Sequence, residues 1–105
     1  MDTLTSKSFW IKYWESHKAE IIKPVADSYV FDKVFTEIFL NDDIKTTCEV
    51  GGFPGTFSVY LRKKYQINPT LIDYVIIEEF VHEFLEVNKL EKTDLEMIEA
   101  DIFNH

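Results

Sequence analysis

Ten residues near the middle of the chain, Cys48 to Phe57, limit most what it can fold into. An acid, Glu49, is followed by Gly51, Gly52, Phe53, Pro54 and Gly55, which include all three glycines of the chain. Before this run, Ile44 to Val50 is rich in β-branched residues that suit a strand; after it, Thr56 to Tyr65 carries apolar residues at helical spacing. A strand that turns through glycines into a helix leaves backbone N–H groups at the helix's open end. The run therefore reads as a ligand-binding turn.

Two later segments end in acids. Pro69 to Tyr74 reads as a second short strand closing at Asp73, eighteen residues after Gly55. That offset suits an acid that accepts hydrogen bonds from both hydroxyls of a ribose. Leu95 to Phe103 reads as a third strand with Asp101 near its end. Between them, the spacing predicts a helix over Ile76 to Lys89, with Ile76, Phe80, Phe84 and Val87 inward and Glu78, Glu79, His82, Glu83 and Glu86 toward water. Glu79, His82, Glu83 and Glu86 imitate a metal site, but a solvated acidic face is the simpler account. Short apolar strands alternating with helices are expected to form parallel neighbours, with the first strand in the middle.

The turn and the two acids together resemble the class I (Rossmann-like) S-adenosylmethionine-dependent methyltransferases. Glu49, Gly51 and Gly55 fall on that family's Glu/Asp-x-Gly-x-Gly-x-Gly motif, and Phe53 stands where its middle glycine would be. The resemblance implies that Glu49, Gly51, Gly52, Phe53 and Gly55 shape the methionine end of the cofactor and that Asp73 holds the ribose. It further implies that Tyr74 lies against the adenine face, while Asp101 and the Ile102 backbone meet the adenine edge. The implied fold is α/β: a partial Rossmann-like three-layer arrangement with a short parallel sheet of about three strands, preceded by N-terminal helices. Residues 1–43 would be a helical segment and residues 44–105 an incomplete cofactor-binding domain. The alternative, in which Asp73 and Asp101 merely cap the turns that follow them, stands beside this reading.

Charge separates the nucleotide ligands. A dinucleotide sets its pyrophosphate on the helix N-terminus, where an anionic Glu49 would repel it. S-adenosylmethionine carries no phosphate but has a sulfonium and an ammonium. The glycine spacing also misses the dinucleotide fingerprint, and no Gly-Lys-Ser/Thr exists for a P-loop. The net charge of −8 disfavours nucleic acid as a partner of these residues. The one basic cluster, Arg62-Lys63-Lys64, ends the helix after the turn, where cations complement the helix dipole.

The N-terminal forty residues read as helices. Phe9, Trp10, Tyr13, Trp14 and His17 share one broad helical face, as core, interface or an active-site lid, with His17 a packing residue rather than a general base. Pro24 ends or bends that segment. A second helix is expected from near Asp27 or Ser28 to Leu40, with Val30, Phe31, Val34, Phe35, Ile38 and Phe39 as its apolar stripe. The lone Cys48 excludes an internal disulfide and is expected to fill the core. No apolar run reaches membrane-spanning length, and the first residues lack a signal-peptide layout, so a cytoplasmic location and no membrane partner are expected.

With 105 residues, the chain has room for only three of the seven strands of a family domain. It is therefore expected to be the N-terminal part of a longer enzyme, inactive alone, whose methyl acceptor is set by other residues. The rival reading is a non-catalytic half-domain that serves interaction. In either case an unpaired strand edge invites self-association.

Overall fold

The computed structural model of the chain describes residues 6–26, 32–41 and 43–101. Three helices come first: α1 (Lys7–Ser16), α2 (Lys18–Ile21) and α3 (Asp32–Asn41). There follow β1 (Thr46–Val50), α4 (Thr56–Tyr65), β2 (Asn68–Asp73), α5 (Glu78–Val87), a 3-10 turn at Lys92–Asp94 and β3 (Glu96–Glu99). The fold is α/β, a three-stranded parallel sheet with helices, matching part of a Rossmann-like architecture. Among the described residues no helix is long and apolar enough to cross a membrane.

The strand order is β1-β2-β3, so β2 and not β1 occupies the middle. Each crossover steps one strand further in the same direction, as in one half of a doubly wound sheet. Right-handed crossovers that all step one way place their helices on one face. Burial agrees. Leu71 of β2, fully buried, packs with Val59 of α4 and with Phe80, Val81, Phe84 and Leu85 of α5, and Met97 of β3 lies against the same cluster.

The opposite face is open. Register places Cys48 beside Thr70 and Glu96, and Val50 beside Ile72 and Ile98. Val50 is 54% exposed and Ile98 40%. Cys48 is exposed as well, and does not fill the core: the strand's inward positions are Thr47 and Glu49, one residue out of phase with the thiol.

The aromatic run of α1 forms a ladder of ring contacts from Phe9 to His17, in which Trp14 alone reaches the core, 5.0 Å from the Phe53 ring. Ser6 caps this helix, its Oγ accepting the Phe9 N–H at 3.2 Å. His17 Nδ1 lies 2.8 Å from the Tyr13 carbonyl, and its ring packs on Tyr13. The expected start of the second helix near Asp27 or Ser28, and its Val30 and Phe31, lie outside the described residues. Within α3, Phe35 and Phe39 pack against Tyr60 and Tyr65, whereas Val34 and Ile38 stand exposed. In α5 the inward residues are Phe80, Val81, Phe84 and Leu85, and Val87 faces solvent.

Asn88 joins the N-terminal segment to α5 and was not legible from pattern. Its buried amide accepts the Val25 N–H at 2.8 Å and donates to the Phe84 carbonyl at 2.8 Å and the Lys23 carbonyl at 3.3 Å.

Candidate functional site

The turn between β1 and α4 runs over the carboxyl ends of the strands. Gly51 continues the β1 ladder, its N–H donating to the Ile72 carbonyl at 2.8 Å, and then takes a φ of +74° that a side chain would resist. Gly55, at φ +100°, turns the chain into α4 and supplies no side-chain cap.

The missing cap comes from β1. Glu49 Oε1 accepts the Ser58 N–H at 2.9 Å and the Ser58 hydroxyl at 2.7 Å, and the carboxylate also receives the Phe57 N–H. An internal carboxylate thus fills the anion position at the N-terminus of α4. Burial pushes the Glu49 carboxyl above its ordinary value; the Ser58 and Phe57 bonds oppose this, and the charge of Asp73 adds to the rise. The same carboxylate lies under Gly52, where an added Cβ would overlap the Glu49 side chain.

Asp73 ends β2 and reaches across to the turn. Its Oδ2 accepts the Phe53 N–H at 2.8 Å, and its Oδ1 accepts the Tyr74 N–H at 2.6 Å. A carboxylate offers about four acceptor positions, so each oxygen keeps capacity for a ligand hydroxyl. The Asp73 carbonyl meanwhile accepts the Ala100 N–H at 2.8 Å, which aligns the end of the third strand with the second.

These groups border a cavity of about 160 Å³ lined by Val50, Gly51, Ile72, Asp73, Tyr74, Ala100 and Asp101. Four of the residues singled out from sequence, Gly51, Asp73, Tyr74 and Asp101, therefore meet at one place. Glu49, Gly52, Phe53 and Gly55 do not line that cavity. The Phe53 ring is buried between Trp14 and Phe80, at 5.0 and 5.1 Å, and only its backbone belongs to the turn. Ile102 lies outside the described residues. The cavity is smaller than the roughly 300–1,000 Å³ that encloses a whole small-molecule ligand, so it has room for only part of one.

Lys7 was not legible from sequence as a neighbour of this end. Its ammonium sits 5.5 Å from the Tyr74 ring centroid and 2.8 Å from Glu99 Oε1, while Glu99 Oε2 accepts the Ile76 N–H at 2.9 Å. The hydrogen bond from Lys7 holds the Glu99 carboxyl below its ordinary value, and Glu99 raises the Lys7 ammonium.

A hollow of about 790 Å³ lies at the other end of the sheet, where α4 and α5 finish and β2 begins. Arg62 and Lys63, two of the cations that line it, are engaged internally. Arg62 pairs with Asp94 at 3.0 Å and reaches Asn68 at 2.9 Å, and Lys63 donates to Asn88 at 3.2 Å. Lys64 lies over the Tyr60 and Tyr65 rings. The basic cluster is tied into the fold around the end of α4. Among the described residues no three His, Cys, Asp or Glu side chains gather as a metal site.

Comparison with protein-family models, with curated proteins and with solved structures returned no match.

Proposed function

We propose that the chain is the cofactor-binding part of an S-adenosylmethionine-dependent methyltransferase. The observation that carries this reading is the Asp73 carboxylate, which binds the glycine turn while bordering a cavity at the carboxyl ends of parallel strands. Ligands of open α/β sheets bind outside those ends. The internally filled N-terminus of α4 favours a cofactor without phosphate over a dinucleotide.

In this reading Asp73 accepts the ribose hydroxyls, Tyr74 lies along the adenine, and Asp101 meets its edge. Glu49, Gly51, Gly52, Gly55 and the Phe53 backbone shape the methionine end. Methyl transfer is an in-line displacement at the sulfonium methyl: the acceptor forms the new bond to carbon as the carbon–sulfur pair returns to sulfur. The protein contributes orientation and a field suited to the loss of positive charge. The acceptor walls come from other residues, so the 105-residue chain binds cofactor without sustaining turnover. A cytoplasmic location accompanies the reading and keeps the exposed Cys48 thiol reduced.

A non-catalytic interaction half-domain is the second reading, favoured by the open sheet face carrying Cys48, Val50 and Ile98. Calorimetric titration with S-adenosylhomocysteine and, separately, ATP distinguishes them. The cofactor reading expects saturable binding of S-adenosylhomocysteine, about −4 to −6 kcal/mol for a partly walled site, and none of ATP. No binding of either, or equal binding of both, overturns it.

A further inference from the structure

The two edges of the sheet are built differently. β3 is short and carries Glu96 and Glu99, charges of the kind that discourage a further strand. β1 has no proline, and its one charged residue, Glu49, turns inward to Ser58. Beside β1 runs a groove of about 230 Å³ lined by Phe35, Thr47, Glu49, Phe57 and Leu61 among others. Phe57 is 42% exposed, and Val34 and Ile38 stand exposed on the neighbouring stripe of α3.

The backbone shows which groups the edge offers. Gly51 N–H and the Lys45 carbonyl both bond to β2, so odd-numbered positions of this strand face inward along the ladder. The N–H and C=O groups of Thr46, Cys48 and Val50 therefore point away from the sheet. These three positions are symmetric about Cys48. We propose that β1 pairs with β1 of a second copy, antiparallel, about a two-fold axis through Cys48.

In that register Cys48 faces Cys48 of the partner copy, and Thr46 faces Val50, each residue pair exchanging two hydrogen bonds. Two-fold closure is the commonest assembly, and it makes one six-stranded sheet out of two three-stranded ones. Charge permits it. The chain's net charge of −8 would oppose self-contact, but this strand brings only neutral residues to the seam. The exposed Phe57, Val34 and Ile38 add apolar area in the helical layer beneath. Of the seam residues Val50 also lines the cavity beside Asp73, but the pairing asks only for its backbone groups, so the inference does not depend on the cofactor reading.

The register is testable because Cys48 is the only cysteine. Facing residues of a hydrogen-bonded antiparallel pair have Cα atoms about 5.5 Å apart, inside the roughly 4.4–6.8 Å that a disulfide spans. Diamide, which takes up the two thiol hydrogens as the S–S bond forms, is expected to convert the folded protein to a covalent dimer. Sedimentation velocity over a dilution series is expected to show a reversible dimer for the wild type and for Cys48→Ser. Cys48→Pro removes only an outward N–H and is expected to weaken the dimer about tenfold or more. Thr46→Lys, which places an edge lysine at an exposed position, is expected to do the same and decides the matter if the proline variant does not fold. A wild type that sediments as a monomer throughout, a dimer indifferent to Thr46→Lys, or a reactive thiol that diamide never cross-links each overturns the proposal.

Discussion

Asp73 Oδ2 accepts the backbone N–H of Phe53 at 2.8 Å, so the end of β2 holds the turn that leaves β1. Twenty positions of sequence separate the two, and the bond lies half-buried. A carboxylate that the sequence offers as a ribose acceptor or as a cap of the turn after it is thereby a structural tie between neighbouring strand ends.

Asp73→Ala is accordingly expected to destabilise the fold. The Phe53 and Tyr74 N–H groups lose a charged acceptor, a loss of about 1–3 kcal/mol. Asp73→Asn keeps one acceptor oxygen and should lose less. Urea unfolding of the three proteins without ligand measures the difference, and midpoints that coincide would contradict the tie. Any affinity loss of Asp73→Ala for S-adenosylhomocysteine must be compared with this stability loss before it is assigned to a ribose contact.

Phe53→Gly, which would restore the middle glycine of the family pattern, is expected to unsettle the core instead of opening a binding site. The ring is 4% exposed and lies between Trp14 and Phe80. Removing a buried phenylalanine costs about 3–5 kcal/mol, to which the glycine's backbone freedom adds. Trp14 should move toward solvent as its partner disappears, so tryptophan fluorescence alongside thermal melts checks the prediction. An unchanged melting temperature would mean that the ring carries no packing.

Glu49 gives the turn a pH dependence whose sign follows from its raised carboxyl. A group that binds its proton more tightly when folded supports the fold most fully when protonated, and that support is lost as pH rises through its folded value. Wild type should therefore lose stability relative to Glu49→Gln from the ordinary carboxyl range upward. The glutamine carbonyl still accepts from Ser58 and carries no charge to desolvate. Thermal melts of both proteins across that window, at constant ionic strength, are expected to show their difference shifting in favour of Glu49→Gln as pH rises.

How far the sequence reached follows from the physics of each signal. Strand and helix periods, and the glycine turn, are local, so they predict α4 at Thr56 to Tyr65 and three parallel strands, as the structure has them. Strand order is a property of the crossovers, and nothing local to Ile44–Val50 distinguishes a middle strand from an edge. The frequent burial of thiols predicts an inward Cys48, yet the alternation around Glu49 turns it outward. Phe53 drew a ligand role from its place in a pattern, whereas its ring is committed to Trp14, a residue thirty-nine positions earlier. The joining of Lys7 to Glu99 spans 92 positions and left no periodic trace. The open face has a topological cause. Parallel sheets are ordinarily covered on both sides, and a run of crossovers stepping one way covers only one.

The tightest test of the turn is the pair Glu49 and Gly52. Gly52 does not need glycine's positive φ; its constraint is the Glu49 carboxylate, which an added Cβ would overlap. That carboxylate cannot step aside freely, because Ser58 holds it through both its N–H and its hydroxyl. Gly52→Ala alone is expected to cost about 1–3 kcal/mol, as overpacking does. Glu49→Ala alone removes the cap of α4, a loss of about 0.5–2 kcal/mol. In the double variant the methyl group enters space that Glu49 has vacated, so the two penalties should not add. Denaturant unfolding of all four proteins gives the coupling, expected at about 1 kcal/mol or more in the direction of relief. Additive penalties would place the Gly52 constraint in the backbone rather than in the carboxylate beneath it.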